Sequence, residues 1–251
     1  MPCIYTIDKR VADTIERNGK NNNSLALRVE NISKVFNSGA GRLIALRKIS
    51  FSVNKGELVA ITGPSGSGKS TLLNIIGALD RPSYGKLFVN NVDVFSLSDT
   101  QIARIRNSLI GFIFQSYNLI NRSTVLKNIE IPGIIAGMNG KERHFRALKL
   151  LEMLGIKDKA NQKPVSLSGG QQQRVAIARS LINNPTIILA DEPTGNLDTK
   201  TGKEVFGLLK LLSSKYRRTI IMVTHNHELA KETDRIIHIK DGVIERQTWV
   251  R

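Results

Sequence analysis

Apolar positions along this chain come in short runs, then at helical spacing, then in short runs again. From Leu25 onward the pattern predicts strands over Leu27–Phe36 and Ile44–Val53, the second reaching a turn at Asn54-Lys55-Gly56. Glu57–Thr62 is a short apolar run ending against a glycine, and Leu87–Val94 carries a hairpin turn at Asn90-Asn91. Between about Ser123 and Leu154 the period turns helical. Phe145, Leu148, Leu151 and Leu154 fall on one face, and Gly155 stands where a helix C-terminal cap belongs. Three more runs come after it: Thr186–Ala190, Thr219–Val223, and Ile236–Val243 with a turn at Asp241-Gly242. The first two are rich in β-branched residues and nearly continuous, as expected of strands covered on both faces of a parallel sheet. Helical stretches alternate with them, so the order is β–α–β with a helical insertion and no internal repeat.

Residues 1–24 read as an extension. Ile4, Ile7, Val11 and Ile15 recur at helical spacing until Gly19 and Asn21-Asn22-Asn23-Ser24 break the pattern. Two readings stay open, a short amphipathic helix or a poorly ordered terminus, and the second is favoured slightly.

At 251 residues the chain is long enough for one α/β domain with a sizeable core, and 41% hydrophobic against 23% charged residues is a globular balance. A single cysteine, Cys3, excludes an internal disulfide and a cysteine-rich metal site, which fits a reducing compartment. The first residues mix Asp8, Lys9, Arg10 and Asp13 without the apolar segment of a signal peptide. No apolar run approaches the ~20 residues a bilayer crossing needs, so a membrane role is expected to come through a partner. The formal charge of +16 raises nucleic-acid binding as an alternative. Aromatics are only 5% and the basic residues are scattered, so no stacking platform forms and direct nucleic-acid contact is not expected.

Three constellations carry chemistry. Gly63-Pro64-Ser65-Gly66-Ser67-Gly68-Lys69-Ser70, with Thr71 after it, fits a phosphate-binding loop at every position. A strand over Leu58–Thr62 enters it and a helical run over Thr71–Leu79 leaves it. The glycines let backbone N–H groups turn toward phosphates, and the helix N-terminus adds a favourable dipole. Lys69 is expected to reach the β- and γ-phosphates of ATP, and the Ser70 hydroxyl to hold Mg²⁺. In the second constellation, the apolar run Ile187–Ala190 ends in Asp191-Glu192. Alone that is a weak signal. Beside a phosphate loop it suggests Asp191 orienting the Mg²⁺ shell through water and Glu192 acting as general base. The third is Leu167-Ser168-Gly169-Gly170-Gln171, running into Gln172–Arg179. It is a second helix start with a serine hydroxyl and glycines that expose N–H groups.

That third run resembles the signature of the ATP-binding cassette ATPases, and the resemblance spans about residues 25 to 246. It implies an α/β fold: a P-loop NTPase core with a mixed sheet flanked by helices, an antiparallel β subdomain, and an inserted α-helical subdomain over about residues 118–168. It implies a head-to-tail dimer, most simply a homodimer. In that dimer ATP lies between the phosphate loop of one subunit and Ser168, Gly169, Gly170 and Gln171 of the other. By the same resemblance Gln115 contacts Mg²⁺ or its water, and Asp198, in Asn196-Leu197-Asp198, belongs to the segment crossing the dimer interface. His225 contacts the γ-phosphate, and Phe36 stacks on adenine where the family more often has tyrosine; core packing is its rival role. The narrower likeness is to lipoprotein-release, macrolide-export and peptide-resistance ATPases. It rests on Glu192–Asp198, Phe114–Ile120 and Leu73–Asp80. It implies a subunit on the cytoplasmic face of the membrane, driving an FtsX-like integral permease. An ATPase of the same type acting on nucleic acid or ribosomes is the alternative.

Overall fold

A computed structural model describes residues 24–38 and 41–250 of the chain; the extension expected before Ser24 lies outside the described residues. Near the N-terminus, β1 (Leu25–Ser38) and β2 (Gly41–Asn54) pair antiparallel from Leu25 opposite Asn54 to Ser38 opposite Gly41. On its other side β1 pairs with β4 (Tyr84–Val89), which turns into the short β5 (Val92–Asp93). The turn residues Asn90 and Asn91 have φ of 51° and 66°, the left-handed pair that a two-residue hairpin requires. The sheet order is β2-β1-β4-β5.

The second sheet is built from β3 (Leu58–Thr62), β6 (Ile110–Ile113), β7 (Ile187–Asp191), β8 (Thr219–Val223), β9 (Arg235–Lys240) and β10 (Val243–Trp249), in the order β10-β9-β3-β8-β7-β6. Every pairing is parallel except β9 with β10, which turn at Asp241-Gly242. All five residues of β3 and of β8 are buried, which accounts for their lack of alternation.

Seven α-helices complete the described fold: α1 (Lys69–Ile76), α2 (Asp99–Leu109), α3 (Val125–Ile135), α4 (Gly140–Met153), α5 (Gly169–Leu181), α6 (Thr199–Ser214) and the single turn α7 (His227–Ala230). One core lies between the two sheets, where Ile32, Ile49 and Leu87 meet Ile61, Leu189 and the α1 residues Leu72, Ile75 and Ile76. The other lies under the opposite face of the parallel sheet, where Ala60, Ile188 and Ile220 meet Ile129, Leu151, Val175 and Leu209 of the helices. Burying a side chain such as Ile75 or Ile76 is worth about 1.5–3 kcal/mol, so α1 is fixed firmly against the sheet.

Three expectations change. The helical stretch over Ser123–Leu154 is two helices. α3 stops at a Schellman turn in which Gly137 (φ 72°) donates to the Ile134 carbonyl and Met138 to that of Gly133. Asn139 then caps α4. At the end of α4, Gly155 (φ 70°) forms the same motif, as expected. Phe145 leaves its expected face: it is exposed, while Ala147 and Leu151 are buried and Leu148 partly so. Helix α2 has no counterpart among the expected elements, although Ser98 and Gln101 form a full capping box at its start.

Candidate active site

Strands β3, β6, β7 and β8 are parallel, so their C-terminal ends share one edge of the sheet, the usual place for a ligand in such folds. The register brings Ile61 opposite Val223 and Asp191 opposite Val223. The segments leaving these strands therefore meet: the phosphate loop after β3, Glu192 after β7, and His225 after β8. Together they line a cleft of about 730 Å³.

The loop is shaped for an anion. Gly63 (φ 148°) and Gly68 (φ 99°) lie in the left-handed half of backbone space, and a Cβ on either would strike a carbonyl, Ile239 O at 2.0 Å or Ala45 O at 2.6 Å. Gly66 (φ 76°) faces open space. Helix α1 starts at Gly68 with no side-chain cap and no acidic residue in its first turn. Each of the other six described α-helices is capped by a side chain: Ser98, Thr124, Asn139, Ser168, Asp198 or Asn226. The first N–H groups of α1 thus lack the side-chain acceptor the others have and lie at the cleft, where a phosphate would satisfy them. Lys69 Nζ donates to the carbonyls of Gly63 (2.9 Å) and Pro64 (2.7 Å), which holds the ammonium across the loop.

Facing it are two carboxylates. Burial raises the pKa of Asp191, the neighbouring Glu192 raises it further, and Lys69 opposes them. Glu192 sits at φ 46°, an unusual conformation for a glutamate, with its N–H donating to the Val223 carbonyl at 3.0 Å. Its Oε2 lies 2.8 Å from His225 Nδ1. Phe36 lines the same cleft, and the residue is 42% exposed, which removes core packing as its role. Lys34 Nζ stands 5.0 Å from the centre of that ring and is held by Asp80 at 2.7 Å.

Of the expected residues, Phe36, Gly63, Ser65, Gly66, Gly68, Lys69, Ser70, Thr71, Asp191, Glu192 and His225 line the cleft. Pro64 and Ser67 belong to the loop without lining it. Gln115 is elsewhere: its Nε2 donates to Asn196 Oδ1 (3.2 Å), and Asn196 Nδ2 donates back to the Gln115 carbonyl (3.0 Å). Ser168, Gly169, Gly170, Gln171 and Asp198 do not line it either. Ser168 caps α5 in a reciprocal box with Gln171, and Asp198 caps α6 through the N–H groups of Lys200 and Thr201. Hydrogen bonds from the Thr201 side chain first, then from the Thr201 and Lys200 N–H groups, hold the Asp198 carboxyl below its ordinary pKa. Sequence reasoning missed Leu43, Ile44, Ala45 and Arg47 of β2, and Asp241-Gly242 of the last hairpin, all of which line the cleft. No local signal marks them: the packing of β2 over the loop brings the first four there, and the hairpin is held by Gly242 N–H to the Ser67 carbonyl (3.2 Å) and Arg47 N–H to that of Gly242 (2.8 Å).

Comparison with known proteins decides the family. The family model described as ABC transporter matches residues 46–195. The chain belongs to the ABC transporter family. An uncharacterized ABC transporter ATP-binding protein of Thermotoga maritima is 53% identical over 84% of this chain and 90% of its own length. The macrolide export ATP-binding/permease protein MacB of Vibrio parahaemolyticus is 49% identical over 87% of this chain, which spans 33% of that larger protein. A solved dimeric post-hydrolysis state of the cassette MJ0796 of Methanocaldococcus jannaschii, bound to ADP and Pi, superposes with a TM-score of 0.82 at 46% identity, covering 90% of this chain and 99% of that one. This ABC cassette is an ATP-binding, ATP-hydrolysing subunit. Among its described residues no helix is long and apolar enough to cross a membrane.

Proposed function

We propose that the cassette works as a homodimer around two ATP molecules and drives an integral membrane permease from the cytoplasmic face. The observation that carries this reading is the split of the site. One cleft gathers the phosphate loop, Asp191, Glu192, His225 and Phe36, while the signature Ser168–Gln171 and Asp198 stay off that cleft within the same chain. A second copy turned head-to-tail would supply them, and the similar cassette MJ0796 is dimeric in its ADP- and Pi-bound post-hydrolysis state.

In this reading Phe36 stacks on adenine, and the amides of the phosphate loop with Lys69 bind the phosphates. The signature residues of the second copy close over the γ-phosphate. Glu192 takes a proton from the attacking water, and His225, paired with it, orients the γ-phosphate. Release of that phosphate opens the dimer. The Ser70 hydroxyl and the Asp191 carboxylate, the latter acting through water, both line the cleft and are hard oxygen donors of the kind Mg²⁺ takes; Gln115, hydrogen-bonded to Asn196 off the cleft, would have to turn inward to add its amide oxygen. The ion would neutralise charge on the phosphate oxygens.

A second groove, of about 390 Å³, supports the permease partner. Phe112, Phe114, Asn118, Pro132, Ile135 and Arg179 are among its lining residues, and it lies between β6, α2, α3 and the C-terminal end of α5. Leu79 and Ile135 on its rim are 48% and 69% exposed. Such an apolar rim suits a short cytoplasmic helix of a membrane subunit. The sequence likeness to macrolide-export and lipoprotein-release ATPases points to an FtsX-like permease and to extrusion of a macrolide, peptide or lipoprotein. Gentle solubilisation of native membranes, pull-down and mass spectrometry test this. A multi-spanning permease with large extracytoplasmic domains is the expected partner. Ribosomal or DNA-bound partners without one would overturn it.

A further inference from the structure

The turn after Gln115 is bound to the signature helix at two places. Tyr117 and Asn118 both occupy the left-handed region, with φ of 60° and 49°, a conformation that side-chain-bearing residues hold only when their surroundings enforce it. The turn has its own hydrogen bonds, Tyr117 N–H to the Phe114 carbonyl (3.2 Å) and Asn118 N–H to that of Ser116 (2.6 Å), and from outside it is held by Arg179, in the last turn of α5. Its Nη2 donates to the Tyr117 carbonyl at 2.8 Å and its Nη1 to the Asn118 carbonyl. Burial lowers the pKa of the guanidinium and raises that of the Tyr117 phenol.

The second contact is at the other end of the same helix. A Cβ built on Gly169, the first residue of α5, would lie 2.8 Å from Tyr117 Oη and 3.1 Å from Leu197 Cδ2. The Tyr117 phenol oxygen therefore packs against the signature backbone, and a side chain at position 169 would have to displace it. Gly169 and Arg179 are about 15 Å apart along the helix axis. Long helical side chains lean toward the N-terminus, so Arg179 reaches back and Tyr117 covers the rest. Arg179 and Asn118 also line the apolar groove beside β6.

We infer that Arg179 is a positioning residue: it clamps the Tyr117–Asn118 turn onto α5 and, through Tyr117, sets where the signature glycine Gly169 stands. The inference rests on the reading that the signature meets the second copy's ATP. It adds a route by which pressure in the groove reaches the signature without passing through the phosphate loop.

The test compares Arg179→Met and Arg179→Lys in a Glu192→Gln background, reading the ATP concentration at half-dimerisation by light scattering. The methionine variant is expected to need at least about tenfold more ATP, while the affinity of the monomer for ATP is unchanged. Lysine recovers only part, because an ammonium cannot grip two carbonyls as a planar fork does. Should Arg179→Met fold poorly, Tyr117→Ala breaks the same link with Arg179 in place. The two changes combined should cost no more than one. Hydrogen exchange in the isolated chain gives an independent readout: the amides of Gln171 and Gln172, both of which donate to Ser168, should exchange about tenfold faster in Arg179→Met. Unchanged dimerisation and unchanged exchange in a folded variant would overturn the inference. If the Glu192→Gln parent itself stays monomeric, the dimer reading fails on its own. The exchange comparison then decides the clamp.

Discussion

His225 Nδ1 lies 2.8 Å from Glu192 Oε2, so the residues just beyond β8 and β7 form a pair at the mouth of the phosphate-loop cleft. The imidazole is largely exposed, and the carboxylate is mostly covered. A covered carboxylate with one exposed partner suits the proposed base: an imidazole at the surface has room to turn to the γ-phosphate and leave Glu192 to the water.

Glu192→Gln keeps the shape of the side chain and removes the base, so phosphate release should fall by about 10²–10⁴-fold. ATP binding should persist, and ATP should now trap a dimer visible on a sizing column. A Glu192→Gln variant that still releases phosphate at the wild-type rate would remove Glu192 from the chemistry.

Phe36 makes a separable prediction. Base–aromatic stacking is worth about 1–3 kcal/mol, so Phe36→Ala should weaken ATP binding by roughly 5–150-fold. Phe36→Tyr should bind as wild type does. Because the side chain is already exposed, stability should shift by less than about 0.5 kcal/mol. A calorimetric titration showing equal affinity for Phe36→Ala would take the base elsewhere.

Asp191 ties function to stability through pH. Its folded-state pKa is raised, first by burial, then by Glu192, against the opposing pull of Lys69. The folded state therefore holds its proton more tightly than the unfolded chain. Stability from this residue is fullest at acid pH and is lost as pH rises through the raised pKa. At neutral pH the charged carboxylate is a standing cost. Asp191→Asn should then raise Tm by about 2–4 °C near pH 7 in the nucleotide-free protein, with little gain below the ordinary aspartate pKa, while ATPase activity is lost. A fall in Tm at pH 7 would show that the carboxylate is instead held by partners that favour its charge.

How much of the molecule is legible in its sequence depends on distance along the chain. The phosphate loop is contiguous, and its glycines and Lys69 can be read because the backbone geometry needs them adjacent. The Glu192–His225 contact joins two strands through β7–β8 pairing, which no local pattern encodes. The same holds for Gln115, whose partner Asn196 comes from a distant loop. A helix face is misread where a small residue takes the core position. Ala147 is buried and the larger Phe145 is exposed, so apolar size alone points to the wrong face. Gly137 splits a periodic stretch that apolar spacing alone presents as continuous, while Ser98 and Gln101 announce α2 in a segment with few apolar residues to draw attention.

Ile135 gives the prediction that separates engine from coupling. It stands 69% exposed on the rim of the groove beside β6. An isolated exposed isoleucine needs no explanation, but here Leu79 shares the rim and Phe112 and Phe114 stack behind it at 5.5 Å. Ile135→Asp should leave folding and the ATPase rate of the isolated cassette within about twofold, since surface changes away from packing features cost within about ±0.5 kcal/mol. In membranes the same charge must be buried against the permease, at a cost of several kcal/mol, so co-purification should drop at least about tenfold. Undiminished recovery of the permease with Ile135→Asp would place the docking surface on another face of the cassette. A drop in the ATPase rate of the isolated variant would instead tie this rim to the catalytic cycle itself.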